Sequence, residues 1–307
     1  MTAILEQTIS YKNLTKSFGD KKAVDGLDIA FRKGELTALL GENGAGKTTS
    51  ISLALGLVEP TEGTVTILGH KAGSIEARRA VGAMLQSAEL PNLLTAEEHI
   101  KLFSSYYPNP VPIDELVEML QLEPFLKQRY GGLSGGQKRR VQLALALCGN
   151  ADFIILDEPT VGLDIETRHT LWQAVRACVA RGQGVILTTH YLEEADALAD
   201  RIVVMADGQL VADGTPADIK ALSAEKVIEL QTNASIDEIT KLPGVHSVVE
   251  AGQTLRLSVS EAEPCLAHLF KAGFEVKNLK VSQVGLESAF LDITNKNKST
   301  DSVGEAA

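Results

Sequence analysis

Gly41-Glu42-Asn43-Gly44-Ala45-Gly46-Lys47-Thr48 fits the pattern G-x-x-x-x-G-K-[ST] and follows directly on the apolar run TALL. A phosphate chain needs backbone amides brought close without Cβ obstruction, which glycines permit. It also gains from a helix N-terminus, where unpaired N–H groups and the helix dipole favour anions. Lys47 adds a point charge for β- and γ-phosphates, Thr48 offers a hydroxyl to Mg2+, and Thr49 continues the cradle into the helix. The competing reading, a chance glycine turn, is disfavoured by the strand-like run before it. A hundred residues on, Phe153-Ile154-Ile155-Leu156-Asp157-Glu158 is a buried-strand run ending in two carboxylates. Successive strand side chains point opposite ways, so the two cannot share one role. Asp157 suits the Mg2+ shell and Glu158 the polarising of a water toward the γ-phosphate. Alone, such a pair reads as a solvated loop edge or a helix start; a phosphate loop upstream favours catalysis.

Between these motifs lies Leu133-Ser134-Gly135-Gly136-Gln137, followed by Lys138-Arg139-Arg140 and the apolar run VQLALALC. Ser134 and Gln137 stand at capping-box spacing, the signature of a well-capped helix. Two glycines in the first turn lower helix propensity and serve close approach better than stability. This reads as a second anion-binding helix start. Two such starts but a single Lys and a single carboxylate pair are reconciled by a two-fold dimer, each chain completing the other's site.

The elements that must position these residues follow from periodicity. Up to about residue 70, short β-rich runs with glycine punctuation indicate an antiparallel sheet. Residues 88–149 bring Pro91, Pro108, Pro110 and Pro112 among helical stretches such as TAEEHIKLFSSYY and IDELVEMLQL, a helical insertion. From FIILDE onward, strand and helix alternate in the manner of a mostly parallel sheet wrapped by helices. Residues 1–222 therefore form one α/β domain. Residues 223–295 show the order βαββαβ of a small α+β ferredoxin-like domain, closed by a helix at LESAFLDIT. Residues 296–307 are polar, without periodicity, and read as a disordered tail.

Composition sets limits. The chain has 307 residues with 29 Lys+Arg against 40 Asp+Glu, a formal charge of −11, and 44% hydrophobic residues. Global disorder is excluded, and no basic block supports binding to nucleic acid by counterion release. Cys148, Cys178 and Cys265 are far apart, without a C-x-x-C pair, and read as small buried hydrophobes. The opening MTAILEQTIS lacks the basic n-region of a signal peptide. The longest apolar candidate, VQLALALCGNADFIIL, is broken by Gly149, Asn150 and Asp152, so the chain is not expected to span a membrane.

The motif set resembles the nucleotide-binding subunit of an ABC transporter. GENGAGKT resembles its Walker A loop, LSGGQ its signature sequence and FIILDE its Walker B strand, in the family's order and across residues 4 to about 222. The resemblance implies a P-loop NTPase (RecA-like) core, ATP with Mg2+, and Ser134, Gly135, Gly136 and Gln137 set against the γ-phosphate of the partner chain's ATP. It assigns Phe18, in KSFG, to stacking on adenine, where a Tyr is commoner; unaided, that aromatic reads as core. Gln86, ending VGAMLQ, matches the Q-loop that meets Mg2+ or water and links the site to the membrane partner. His190, ending VILTTH, matches the switch histidine at the γ-phosphate; unaided, it reads as a capping or satisfied loop residue. Asp164, in VGLD, matches the D-loop on the dimer seam, with Gly162 where a small residue is frequent; unaided, it is an N-cap.

The wider chain resembles the ATPases of drug-resistance and antibiotic-export ABC systems, whose C-terminal extension has this size and ends in a motif like LESAFLDIT. That extension carries no catalytic constellation. His246 and His268 within it are isolated, and its implied role is to stabilise or regulate the dimer. The resemblance thus implies a homodimeric ATPase at the cytoplasmic face of the membrane, driving separate transmembrane permease subunits that select the cargo. An importer ATPase with a regulatory C-terminal domain is the alternative. A soluble ABC protein acting on ribosomes or DNA is disfavoured by the single cassette, the lack of heptads and the lack of Cys pairs.

Overall fold

A computed structural model describes residues 8–87, 89–223, 226–283 and 285–294. The opening segment and the tail expected at 296–307 lie outside these. Contacts divide the chain into two compact units between Thr215 and Pro216.

In the first unit, β1 (Thr8–Phe18) and β2 (Lys21–Arg32) form an antiparallel hairpin. Its two-residue turn needs a positive φ, which Gly19 supplies at +58°. β3 (Leu36–Leu40) is buried at every position and leaves this hairpin for the interior of a second sheet. Helix α1 (Lys47–Ala54) follows, then β4 (Glu62–Ile67), which returns to pair with β1, and β5 (His70–Lys71). The first sheet thus has the order β2-β1-β4-β5. The buried Tyr11 hydroxyl donates to the Ser50 carbonyl at 3.0 Å, fixing α1 against it.

Helix α2 (Ile75–Arg79) leads to β6 (Val81–Met84), after which the chain turns helical through α3 (Ala96–Ser104), α4 (Ile113–Met119) and α5 (Gly135–Leu147). Thr95 and Glu98 cap α3 reciprocally. Then β7 (Phe153–Asp157), α6 (Ile165–Ala180), β8 (Gly184–Thr188), α7 (Leu192–Leu198), β9 (Arg201–Ala206) and β10 (Gln209–Gly214) alternate as expected. The second sheet runs β10-β9-β3-β8-β7-β6, parallel except for β10 at its edge. β3, β7 and β8 read as continuous apolar runs because helices or the first sheet cover both faces of a parallel sheet. Their carboxyl ends are adjacent, so the loops that follow them meet along one edge. The register places Thr188 beside both Leu39 and Asp157.

α5 lies against β6 without clearance: a Cβ added to Gly82 would fall inside the van der Waals shell of the Ala146 carbonyl. Among the described residues, no helix is long and apolar enough to cross a membrane. All three cysteines are buried and free.

The second unit begins with α8 (Pro216–Ala221) and continues β11 (Lys226–Thr232), α9 (Ile236–Thr240), β12 (Val245–Ala251), β13 (Thr254–Val259), α10 (Ala262–Lys271) and β14 (Val276–Gln283). Its antiparallel sheet, β12-β13-β11-β14, has the ferredoxin-like order. Ile228, Leu257, Cys265 and Leu269 fill the space between sheet and helices. Residues 286–294 are helical.

Candidate active site

From Leu40 the chain turns through glycines into α1, and two of them are dictated by neighbouring backbone. A Cβ on Gly41 would lie 2.5 Å from the Met205 carbonyl oxygen, and one on Gly46, at φ +100°, would strike the Ala23 carbonyl. Gly44 is different: at φ +88°, nothing stands within 4 Å of where its Cβ would project. A side chain there would occupy the space beside the loop. No side chain caps the N-terminus of α1, which suits it to an external anion.

That space is a cavity of about 290 Å3. Asn43, Gly44, Gly46, Lys47, Thr48 and Thr49 border it from the loop and helix, and Phe18 from the hairpin turn. Gln86, Asp157 and Glu158 border it from the ends of β6 and β7. Gly41, Glu42 and Ala45 do not line it, although the Gly41 and Glu42 carbonyls accept from the Lys47 ammonium at 2.7 and 3.2 Å. Burial pushes that ammonium below its usual range, opposed by the nearby Glu158 and Asp157 charges. Phe18 is 55% exposed, with the Lys16 ammonium 5.0 Å from its ring centroid. Its face is therefore presented outward and not packed in a core.

The carboxylates are held by a residue that the sequence reading missed. The Thr188 hydroxyl donates to Asp157 Oδ1 at 2.5 Å. The Glu158 N–H in turn donates to Thr188 Oγ1 at 3.0 Å and to the Thr188 carbonyl at 3.1 Å. Glu158 has φ +51°, a left-handed conformation costly for a residue with a Cβ. These two acceptors help to hold that backbone. His190 does not border the cavity itself; its Nδ1 lies 2.6 Å from Glu158 Oε2.

Ser134, Gly135, Gly136, Gln137 and Asp164 are not brought to this cavity. Ser134 and Gln137 form the expected capping box on α5, with Ser134 N–H to Gln137 Oε1 at 2.9 Å and Gln137 N–H to Ser134 Oγ at 3.3 Å. Nothing lies within 4 Å of a Cβ built on Gly135, and one on Gly136 would make only ordinary contacts with Thr167 and Asp164. Nothing in this chain's packing requires either glycine. Gly135 and Gln86 both border a second cavity of about 440 Å3, where Arg139 donates to the Gln86 carbonyl at 3.4 Å. Asp164 is the N-cap of α6, accepting from Thr167 N–H at 2.8 Å, a bond that holds its carboxyl below the ordinary range.

The donor set fits Mg2+. Thr48, Gln86 and Asp157 offer a hydroxyl, an amide oxygen and one carboxylate around one cavity. No cluster of three His, Cys, Asp or Glu side chains suited to a metal occurs among the described residues. Few protein oxygens, with phosphate and water completing the shell, is how Mg2+ is commonly bound.

Comparison with known proteins gives a consistent result. The sequence profile of the ABC transporter family matches residues 24–161. Nod factor export ATP-binding protein I of Burkholderia lata is 37% identical over 298 residues, covering 94% of this chain and 97% of the relative. The protein of that name from Rhizobium sp. (strain N33) is 36% identical over 299 residues, again 94% and 97%. Among solved structures, an ATP-binding subunit of an ABC transporter superposes with a TM-score of 0.65 at 30% identity, over 70% of this chain and 92% of that one. A bacterial ABC transporter cassette solved as a dimer superposes with a TM-score of 0.61 at 30% identity, over 67% and 98%.

Proposed function

The chain belongs to the ATP-binding subunits of ABC transporters, and on that premise we propose that two copies close around two ATP molecules to drive the membrane partners of an export system. The protein is an ATPase, and its relatives are export proteins. The observation that carries the composite site is that the phosphate-loop cavity lacks every residue of LSGGQ, while this chain's packing requires neither signature glycine. Ser134, Gly135 and Gly136 then serve the γ-phosphate of the partner copy's ATP, with Asp164 beside the seam.

Within each site, Phe18 stacks on the adenine and the amides from Asn43 to Thr49 enclose the phosphates. Thr48, Gln86 and Asp157 would hold Mg2+, which would supply neutralising charge to the β- and γ-phosphates. Lys47 leaves the Gly41 and Glu42 carbonyls to place its charge on the same oxygens. Glu158 orients the attacking water and takes its proton, and His190, hydrogen-bonded to Glu158, faces the transferring phosphoryl group. Separate permease subunits supply the membrane crossing, and this chain sits at their cytoplasmic face. The second unit stabilises or regulates the pair.

The test is Glu158→Gln beside wild type, with phosphate release and light-scattering mass measured with and without Mg2+ and ATP. ATP binding persists, turnover falls by about 10²–10⁴-fold, the usual worth of a general base, and the mass doubles with nucleotide. Wild-type turnover in Glu158→Gln would refute the assignment.

A further inference from the structure

Glu194 is the most deeply buried carboxylate near the site, 1% exposed, and it lines no part of the cavity. It stands in the first turn of α7, where a carboxylate needs only to meet the helix dipole from solvent. Here it is turned inward and meets three other segments. Its Oε2 accepts from the Thr189 hydroxyl at 2.8 Å and from the Thr160 hydroxyl at 2.8 Å. Its Oε1 accepts from the Trp172 indole N–H at 3.3 Å, with Arg168 Nε at 3.9 Å. Thr160 lies two residues beyond Glu158, Thr189 directly precedes His190, and Arg168 and Trp172 lie on the helix that Asp164 caps.

Thr189 carries the consequence. Its hydroxyl gives its proton to Glu194 and accepts from the Tyr191 N–H at 2.9 Å, closing a short turn around His190. A hydroxyl has one proton; committing it to Glu194 aims the lone pairs at Tyr191. The Glu194 carboxylate therefore fixes the backbone on both sides of the histidine that meets Glu158 Oε2 at 2.6 Å.

We propose that Glu194 is a positioning residue for ATP hydrolysis, setting the His190–Glu158 pair through the Thr189 hydroxyl and the segment after β7. The inference rests on the reading of His190 and Glu158 given above. Glu194→Gln keeps size and shape but has one acceptor oxygen where two are used. With that oxygen toward the threonines, the amide NH2 opposes the Trp172 N–H; flipped, the NH2 faces two hydroxyls whose protons lose their acceptor. Thr189→Val removes the turn directly, and Thr189→Ser retains it.

The experiment measures steady-state ATP turnover and melting temperature in the full chain for Glu194→Gln, Thr189→Val, Thr189→Ser, His190→Ala and the double variant Glu194→Gln/His190→Ala. Glu194→Gln and Thr189→Val are expected to lower kcat by about 10–100-fold, the scale of a misplaced catalytic group. KM for ATP stays within about twofold because the phosphate loop and Phe18 are untouched, and Thr189→Ser recovers most of the loss. In the His190→Ala background Glu194→Gln adds less than about twofold, the mark of two changes acting through one group. A Glu194→Gln protein that melts lower but turns over normally would overturn the proposal, as would losses that multiply in the double variant. Those results leave the site reading intact if His190→Ala is itself impaired; wild-type turnover in His190→Ala overturns both.

Discussion

Thr188→Val tests whether the carboxylate pair is held as described. The substitution keeps a β-branched side chain of nearly the same volume in β8 and deletes one hydroxyl. That hydroxyl donates to the buried Asp157 at 2.5 Å and accepts from Glu158 N–H at 3.0 Å. Glu158 N–H retains the Thr188 carbonyl at 3.1 Å, so the main loss is at Asp157, which is 2% exposed. A hydrogen bond to a charged group contributes about 1.5–3 kcal/mol, and a buried oxygen left without its donor puts the cost toward the upper end, about 2–3 kcal/mol. For a unit of this size, about 2–4 °C per kcal/mol gives a melting point lower by about 5–10 °C. Thr188→Ser keeps the hydroxyl and removes one methyl, worth about 1 kcal/mol, and should melt only about 2–4 °C below wild type. Turnover should follow the same order, with Val losing about tenfold or more because Asp157 and Glu158 lose a shared fixed point. Thermal melts and phosphate release on the three proteins check this. A valine protein that melts with wild type, or no lower than the serine protein, would refute the argument that Thr188 organises the pair.

Phe18→Ala should weaken ATP binding by about 1–3 kcal/mol, or roughly 5–150-fold in Kd, while Phe18→Tyr keeps the stacking face and the affinity; a fluorescent ATP analogue reads both. Burial pushes the Cys148 and Cys178 thiols up to about 11 from the ordinary 9.0. The folded protein should therefore react with a thiol reagent at pH 8 about a hundredfold more slowly than the urea-unfolded chain. The unfolded thiols ionise first, so these groups make folding stability fall as pH rises from 9.0 toward about 11, readable in urea melts across that range.

The parts of this molecule that can be read from sequence are those whose requirements are local. The phosphate loop needs its glycines within eight residues, and β7 announces itself as an apolar run ending in charge. The capping boxes at Ser134 and Thr95 rest on partners three residues away. What stays hidden depends on distant partners. Thr188 reads as an ordinary strand threonine, since Asp157 lies 31 residues earlier, and Glu194 reads as a first-turn carboxylate, since Thr160 is 34 residues away. Nothing in the run LDEPT predicts a left-handed Glu158, because the residue has no preference for that conformation and is held there by long-range bonds. Phe18 falls between these cases. Its type was legible, but its exposure follows from a hairpin turn at Gly19 that lifts it to the rim of the cavity.

The contact between Gly82 and Ala146 has a mechanical consequence. α5 is a rod of 13 residues with Ala146 near one end and the signature Ser134 just beyond the other. At 1.5 Å per residue the two lie about 18 Å apart. On the strand side of the contact, Gln86 lies four residues beyond Gly82. With no room for a side chain between them, strand and helix meet at a fulcrum, and Ser134 stands at the end of the long arm of α5. A swing of about 10° about that fulcrum carries Ser134 through about 3 Å, one hydrogen-bond length, for about 18 Å of arm. A tilt of α5 small enough to leave the Gly82 contact in place would thus suffice to make or break a hydrogen bond at Ser134.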